Sequence, residues 1–123
     1  MKPSPHILIV EDDADLQTFL RGFFDEKGFA TQVTHSGKEA LSMAKKSPPS
    51  LVILDLGLPD MHGELVCQEM KKANPAVPVI ILTANDDTQS VVGTFGKGAD
   101  DYINKPFNND ELWARSSAKL KTK

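Results

Sequence analysis

Short apolar runs and amphipathic stretches alternate five times along this chain, and few architectures accept that order. His6 to Val10 (HILIV), Leu51 to Leu54 (LVIL) and Val79 to Leu82 (VIIL) read as strands covered on both faces. Ala30 to Thr34 (ATQVT) is a more polar strand suited to an edge, and Tyr102 and Ile103 mark a short fifth. Between them, Leu16, Phe19, Leu20, Phe23 and Phe24 recur at helical spacing, and Gly28 stops that helix. Ser36 to Glu39 (SGKE) is a capping-box pattern opening a second helix, which ends before Pro48 and Pro49. Leu65, Val66 and Met70 give a third, stopped near Asn74 and Pro75. Val91, Val92 and Phe95 mark a fourth, weakened by Gly93, Gly96 and Gly98, and Asn108 to Lys121 form a last helix with Leu112, Trp113 and Leu120. This alternation builds a doubly wound α/β fold of three layers: a five-stranded parallel sheet with helices on both faces, (βα)5. The 123 residues suit one domain over 1–123, with a core from about residue 6 to 121.

The bulk numbers exclude several functions. A net charge of −3 gives no electrostatic case for direct nucleic-acid binding by this domain. Arg115, Lys119, Lys121 and Lys123 are the local exception, and they read as cations favoured at a helix C-terminus. No apolar run nears the ~20 residues needed to cross a membrane, and MKPSPHILIV runs straight into EDD with no signal-peptide core. The lone Cys67 forms no intrachain disulfide. A cytoplasmic protein is expected.

In open α/β sheets, chemistry gathers outside the carboxyl ends of the strands. The first strand ends in Glu11, Asp12 and Asp13, the third in Asp55, the fourth in Thr83, and the fifth in Asn104, Lys105 and Pro106. If the strands are neighbours, Glu11, Asp12 and Asp55 converge. Two unit charges ~4 Å apart repel by roughly 4 kcal/mol at an effective dielectric near 20, so a cation is needed. All-oxygen ligands favour a hard divalent ion, Mg²⁺ or Mn²⁺, and Lys105 adds a fixed positive charge. Metal, lysine and hydroxyl around one carboxylate suit phosphoryl transfer, with Asp55 as the nucleophile that becomes an acyl phosphate.

These motifs, ILIVEDD, VILDLGLP with Gly63, ILTA and GADDYINKPF, resemble a response-regulator receiver domain of the CheY-like superfamily. The resemblance runs from Ile7 to the last helix and implies the flavodoxin-like strand order 2-1-3-4-5. It implies that Asp55 accepts a phosphoryl group from a sensor histidine kinase or phosphotransfer protein. Metal ligands would be Glu11, Asp12, Asp55 and the Gly57 carbonyl. Lys105, Thr83 and Ala84 would bind the phosphoryl group, Thr83 and Tyr102 would form a switch pair, and Lys105–Pro106 would be cis. Partners would read the face made by the fourth helix, fifth strand and last helix. They are an output domain, an effector, or a second copy in a phosphorylation-dependent homodimer. The domain would catalyse its own phosphorylation and slow dephosphorylation without being a turnover enzyme. Gly57 and Asn85 occupy the positions that tune dephosphorylation. Gly57 has no side chain to orient water, so loss of phosphate is expected to be modest in rate.

Other polar residues have plainer roles. Asp13 reads as a helix cap, Asp86 and Asp87 as residues of a helix N-terminus, and Asp100 and Asp101 as lying before the fifth strand at the opposite rim. His6, His35 and His62 lack metal-ligand spacing and are placed on the surface. The phenylalanines of the first helix, Cys67 and Trp113 read as packing. Two competing functions are weaker. A Mg²⁺-dependent aspartyl phosphatase of the haloacid-dehalogenase type needs a second aspartate where Gly57 stands. A phosphate-independent interaction module would not need the full set of Glu11, Asp12, Asp55, Thr83 and Lys105.

Overall fold

The computed structural model describes residues 6–84 and 98–120. The elements run β1 (His6–Val10), α1 (Ala14–Glu26), β2 (Ala30–Thr34), α2 (Gly37–Lys46), β3 (Leu51–Asp55), α3 (Gly63–Ala73), β4 (Val79–Ala84), β5 (Asp101–Lys105) and α4 (Asn109–Leu120). The expected helix at Val91, Val92 and Phe95 lies outside the described residues, as do Asn85, Asp86, Asp87, Lys121 and Lys123.

All five strands are parallel, in the order β2-β1-β3-β4-β5. β1 and β3 are buried at every residue, which explains their unbroken apolar runs. β2 alternates exposed and half-buried residues up to Thr34, as its polar composition requires of an edge. Alternation along the strands splits the core in two. Leu8, Val10, Val52, Leu54, Val79 and Ile81 meet Ala40 of α2 and Val66, Cys67 and Met70 of α3. Ile7, Ile9, Leu51, Ile53, Ile80, Leu82 and Ile103 meet Leu20 and Phe24 of α1 and Leu112 of α4. Each fully buried Leu or Ile side chain contributes about 1.5–3 kcal/mol.

Local signals place the helices. Asp13 caps α1 by accepting from the N–H groups of Asp15 (2.9 Å) and Leu16 (3.3 Å). Gly28, at φ +90°, turns the chain out of α1 into β2. The capping box at α2 is only half formed. Ser36 Oγ accepts from Glu39 N–H (3.1 Å), but the Glu39 carboxylate accepts a hydrogen bond from the Thr34 hydroxyl instead of reaching back to Ser36.

Several expectations need correction. Phe19 is 40% exposed, so it does not belong to the core with the other phenylalanines of α1. Phe19 instead forms a surface aromatic contact with Phe23 (6.0 Å) and Phe107 (6.1 Å). His6 is buried, because β1 is flanked by β2 and β3 and its first residue is covered along with the rest. Asp101 is the first residue of β5 and does not precede it; it stays at the rim opposite the strands' carboxyl ends, paired with Ile80 and held by Arg115 from α4 at 2.8 and 3.0 Å. Trp113 packs beside Phe29, with the Lys27 ammonium 5.1 Å from its ring.

Candidate functional site

The carboxyl ends of β1, β3 and β5 meet at one cluster. Residues 53 and 103 face the α1/α4 layer, so side-chain alternation sends Asp55 and Lys105 to that same side. Asp55 and Lys105 belong to β3 and β5, with β4 between them. At about 4.8 Å per strand the gap is about 10 Å, which a lysine and an aspartate can bridge together. Lys105 Nζ lies 3.4 Å from Asp55 Oδ1 and 3.2 Å from Glu11 Oε1. The Lys105–Pro106 peptide bond is cis.

Glu11 is 1% exposed and Asp55 8%. Glu11 Oε2 accepts from Asp13 N–H at 3.0 Å, but Oε1 is not aligned for a hydrogen bond with Lys105 and has no other partner among the described residues. Burial raises the Glu11 carboxyl above its usual range; the Asp13 N–H pulls it back, the Asp55 charge raises it again, and Lys105 opposes. For Lys105, burial alone would favour the neutral amine. The charges of Asp55 and Glu11, with the hydrogen bond to Asp55, outweigh that and raise its pKa, so the ammonium persists at neutral pH.

Asp55 Oδ1 also accepts from Gly57 N–H at 3.2 Å. Asp12 is exposed, and among the described residues no three acidic, histidine or cysteine side chains are placed to hold a metal ion. The expected convergence of three acids is therefore a convergence of two. Lys105 and the Asp13 N–H draw Glu11 inward, while Asp12 keeps its hydration. The pair still fits a hard cation: the donors are all oxygen, and one buried carboxylate oxygen lacks a hydrogen bond. Mg²⁺ typically needs only one or two carboxylates beside waters.

Thr83 is buried on β4 opposite Asn104, and Ala84 pairs with Lys105 in register. Tyr102 lies opposite Ile81 and packs, half-buried, against the core on the α2/α3 side. Asn85 lies outside the described residues.

Local pattern reading missed Asp60. Its carboxylate reaches α2 and accepts from Ser36 Oγ (3.1 Å), Gly37 N–H (2.9 Å) and Lys38 N–H (3.1 Å). The N–H groups of Gly37 and then Lys38 hold it below the usual carboxylate range. Its helix-end partners are 22 and 23 residues away in sequence, so no local motif announces them.

A family profile described as the response regulator receiver domain matches residues 7–117. Among curated relatives, the DNA-binding response regulator MtrA of Mycobacterium tuberculosis (strain H37Rv) is 45% identical over 115 residues, covering 94% of this chain and 50% of its own length. The chain thus spans about half the length of the curated relatives it matches. Among solved structures, a CheY-like response regulator receiver domain protein from Methanospirillum hungatei superposes with a TM-score of 0.91 at 27% identity, covering 96% of this chain and 94% of that one. A two-component response regulator from Clostridium difficile gives 0.89 at 29% identity, covering 95% and 96%.

Proposed function

Since the chain belongs to the response regulator receiver domain family, we propose that Asp55 is its phosphoacceptor and that its charge state switches the surface read by an output partner. The chain is a receiver module of two-component signalling, not a classical turnover enzyme. The observation that carries the Asp55 assignment is the Lys105 ammonium set between Asp55 and Glu11. One half-buried cation serving two carboxylates leaves an excess of negative charge, which suits a site built to take up further positive charge along with a phosphoryl group.

The roles follow from the contacts. Asp55 Oδ1 holds both the Gly57 N–H and Lys105, while Oδ2 takes neither and is the atom assigned to attack phosphorus. The phosphoryl group passes from a phosphohistidine of a sensor kinase or phosphotransfer protein to this oxygen. Lys105 then shifts from the carboxylates to the phosphoryl oxygens, which the Thr83 hydroxyl and Ala84 N–H also bind. Glu11, Asp12, Asp55 and the Gly57 carbonyl are the residues assigned to hold Mg²⁺ or Mn²⁺, which when bound supplies neutralisation of the charge gathered on the transferred group. Movement of Thr83 toward phosphate releases room that Tyr102 follows, so phosphorylation biases two packings of β5 and its neighbours.

The similarity to a DNA-binding response regulator of about twice this length supports an output that binds DNA through a separate domain, with this receiver as the control element. A phosphorylation-dependent homodimer is a further partner consistent with that arrangement, and the cytoplasm is the compartment where a kinase would reach it. Among the described residues no helix is long and apolar enough to cross a membrane. The test is incubation with Mg²⁺ and a small acyl-phosphate donor, followed by the mass of the intact chain. A gain of one phosphoryl group, absent in Asp55→Asn and without Mg²⁺, is the expected result. An adduct that survives in Asp55→Asn overturns the assignment.

A further inference from the structure

Apart from Asp55 at the end of β3, the cation ligands assigned above come from two loops, one after β1 (Glu11, Asp12) and one after β3 (Gly57). A continuous hydrogen-bonded path joins these loops around the side of the site. Glu11 N–H donates to Thr34 O (3.0 Å) at the end of β2. The Thr34 hydroxyl donates to Glu39 and accepts from Ser36 N–H (3.1 Å), which locks the turn between β2 and α2. From that turn, Ser36 Oγ, Gly37 N–H and Lys38 N–H all converge on the Asp60 carboxylate at the far end of the β3–α3 loop.

The loop itself is closely fitted at both ends. A Cβ on Gly63 would lie 2.6 Å from Leu56 Cα, so the loop closes backbone on backbone where it leaves Asp55. A Cβ on Gly37 would lie 3.1 Å from Met61 Cβ, so the loop sits flush against α2 next to Asp60. Between these clamps hangs Gly57, whose N–H is bound to Asp55.

We propose that Asp60 is a positioning residue for divalent-cation binding: by fastening the β3–α3 loop to the β2–α2 turn, it sets the separation of the two loops that supply the ligands. This rests on the cation reading above. A plain helix cap would satisfy the same N–H groups, but a residue within α2's own approach could do that. Ser36 already does so for Glu39. Recruiting the carboxylate from the loop that follows Asp55 ties helix and ligand loop together.

The test titrates Mg²⁺ calorimetrically into the full chain and measures amide exchange at Gly57 without metal. The variants are Asp60→Ala, Asp60→Asn and Val77→Ala. Val77 is buried at the opposite end of the sheet, before β4, and controls for general destabilisation. Asp60→Ala is expected to weaken Mg²⁺ binding roughly tenfold, the usual scale for losing a group that orients ligands, and to speed Gly57 exchange. Asp60→Asn, keeping one acceptor oxygen, should fall between, and Val77→Ala should bind as the unaltered chain does. Wild-type Mg²⁺ affinity in Asp60→Ala would reduce Asp60 to a helix cap and overturn the proposal. Equal weakening in Val77→Ala would overturn it too. No Mg²⁺ binding by the unaltered chain would instead strike the cation reading itself, and the brace with it.

Discussion

Gly63 and Gly37 are both the first residue of a helix, yet alanine at the two positions should have unequal effects. At Gly63 the added methyl would lie 2.5 Å from Leu56 Cδ2, 2.6 Å from Leu56 Cα and 3.2 Å from Asp55 O. Carbon atoms pack at roughly 3.5–4.0 Å, so the main chain beside Asp55 must retreat by about 1 Å. At Gly37 the near atoms are Val66 Cγ2 (2.7 Å), Met61 Cβ (3.1 Å) and Met61 Sδ (3.2 Å), all side chain, and methionine adapts readily. Overpacking typically costs about 1–3 kcal/mol, while Gly→Ala restores about 0.4–1 kcal/mol through the unfolded chain. Gly63→Ala should therefore lose about 2 kcal/mol net, and Gly37→Ala under about 1 kcal/mol. Urea unfolding followed by far-UV circular dichroism reads both. For a domain of this size the first corresponds to a Tm drop of roughly 6–8 °C. A Gly63→Ala protein as stable as the parent, or a larger loss in Gly37→Ala, would refute the close backbone approach.

Three further outcomes can be checked. Asp60 is held below its ordinary carboxylate value of 3.8, so it contributes stability above that value and loses it as pH falls through its lowered folded value. The stability gap between the parent and Asp60→Asn should be full at neutral pH and close below pH 3.8; a gap unchanged down to strong acid would contradict the contact. A Cβ at Gly57 would sit 3.9 Å from both Asp55 oxygens without clash, so Gly57→Asn should fold and place a polar group there. Its phosphorylated form should lose phosphate faster than the parent, measured by the decay of intact mass, and an unchanged rate would count against the role given to this position. Burial pushes the Cys67 thiol up to about 11, so it should resist alkylation at pH 8 until urea unfolds the chain; rapid labelling of folded protein would contradict its placement in the core.

The fold was legible because its strongest signals are local and periodic. HILIV and LVIL are apolar on both faces because helices cover both sides of a parallel sheet, and ATQVT is polar because it lies at an edge. The rim residues followed from the same logic, since each strand's last residue emerges on one side. Helical spacing alone does not say how wide the buried stripe is, which is why Phe19 lies shallower than its spacing implies. His6 was placed too shallow, since a residue type says less than its position on a central strand. Long-range polar contacts were invisible. Glu39 prefers the Thr34 hydroxyl to its own helix, and Asp60 caps a helix that lies well before it in the sequence. The burial of Glu11 beside an exposed Asp12 is likewise set by Lys105, which lies on β5.

The central claim is that phosphate arrives on Asp55. Chemical reduction of the acyl phosphate, followed by peptide mass spectrometry, marks the acceptor permanently. The account predicts a single marked residue, Asp55, appearing only when Mg²⁺ and donor are both present. A mark on Asp12 or another carboxylate, or an acid-stable phosphate on a hydroxyl side chain, would contradict it.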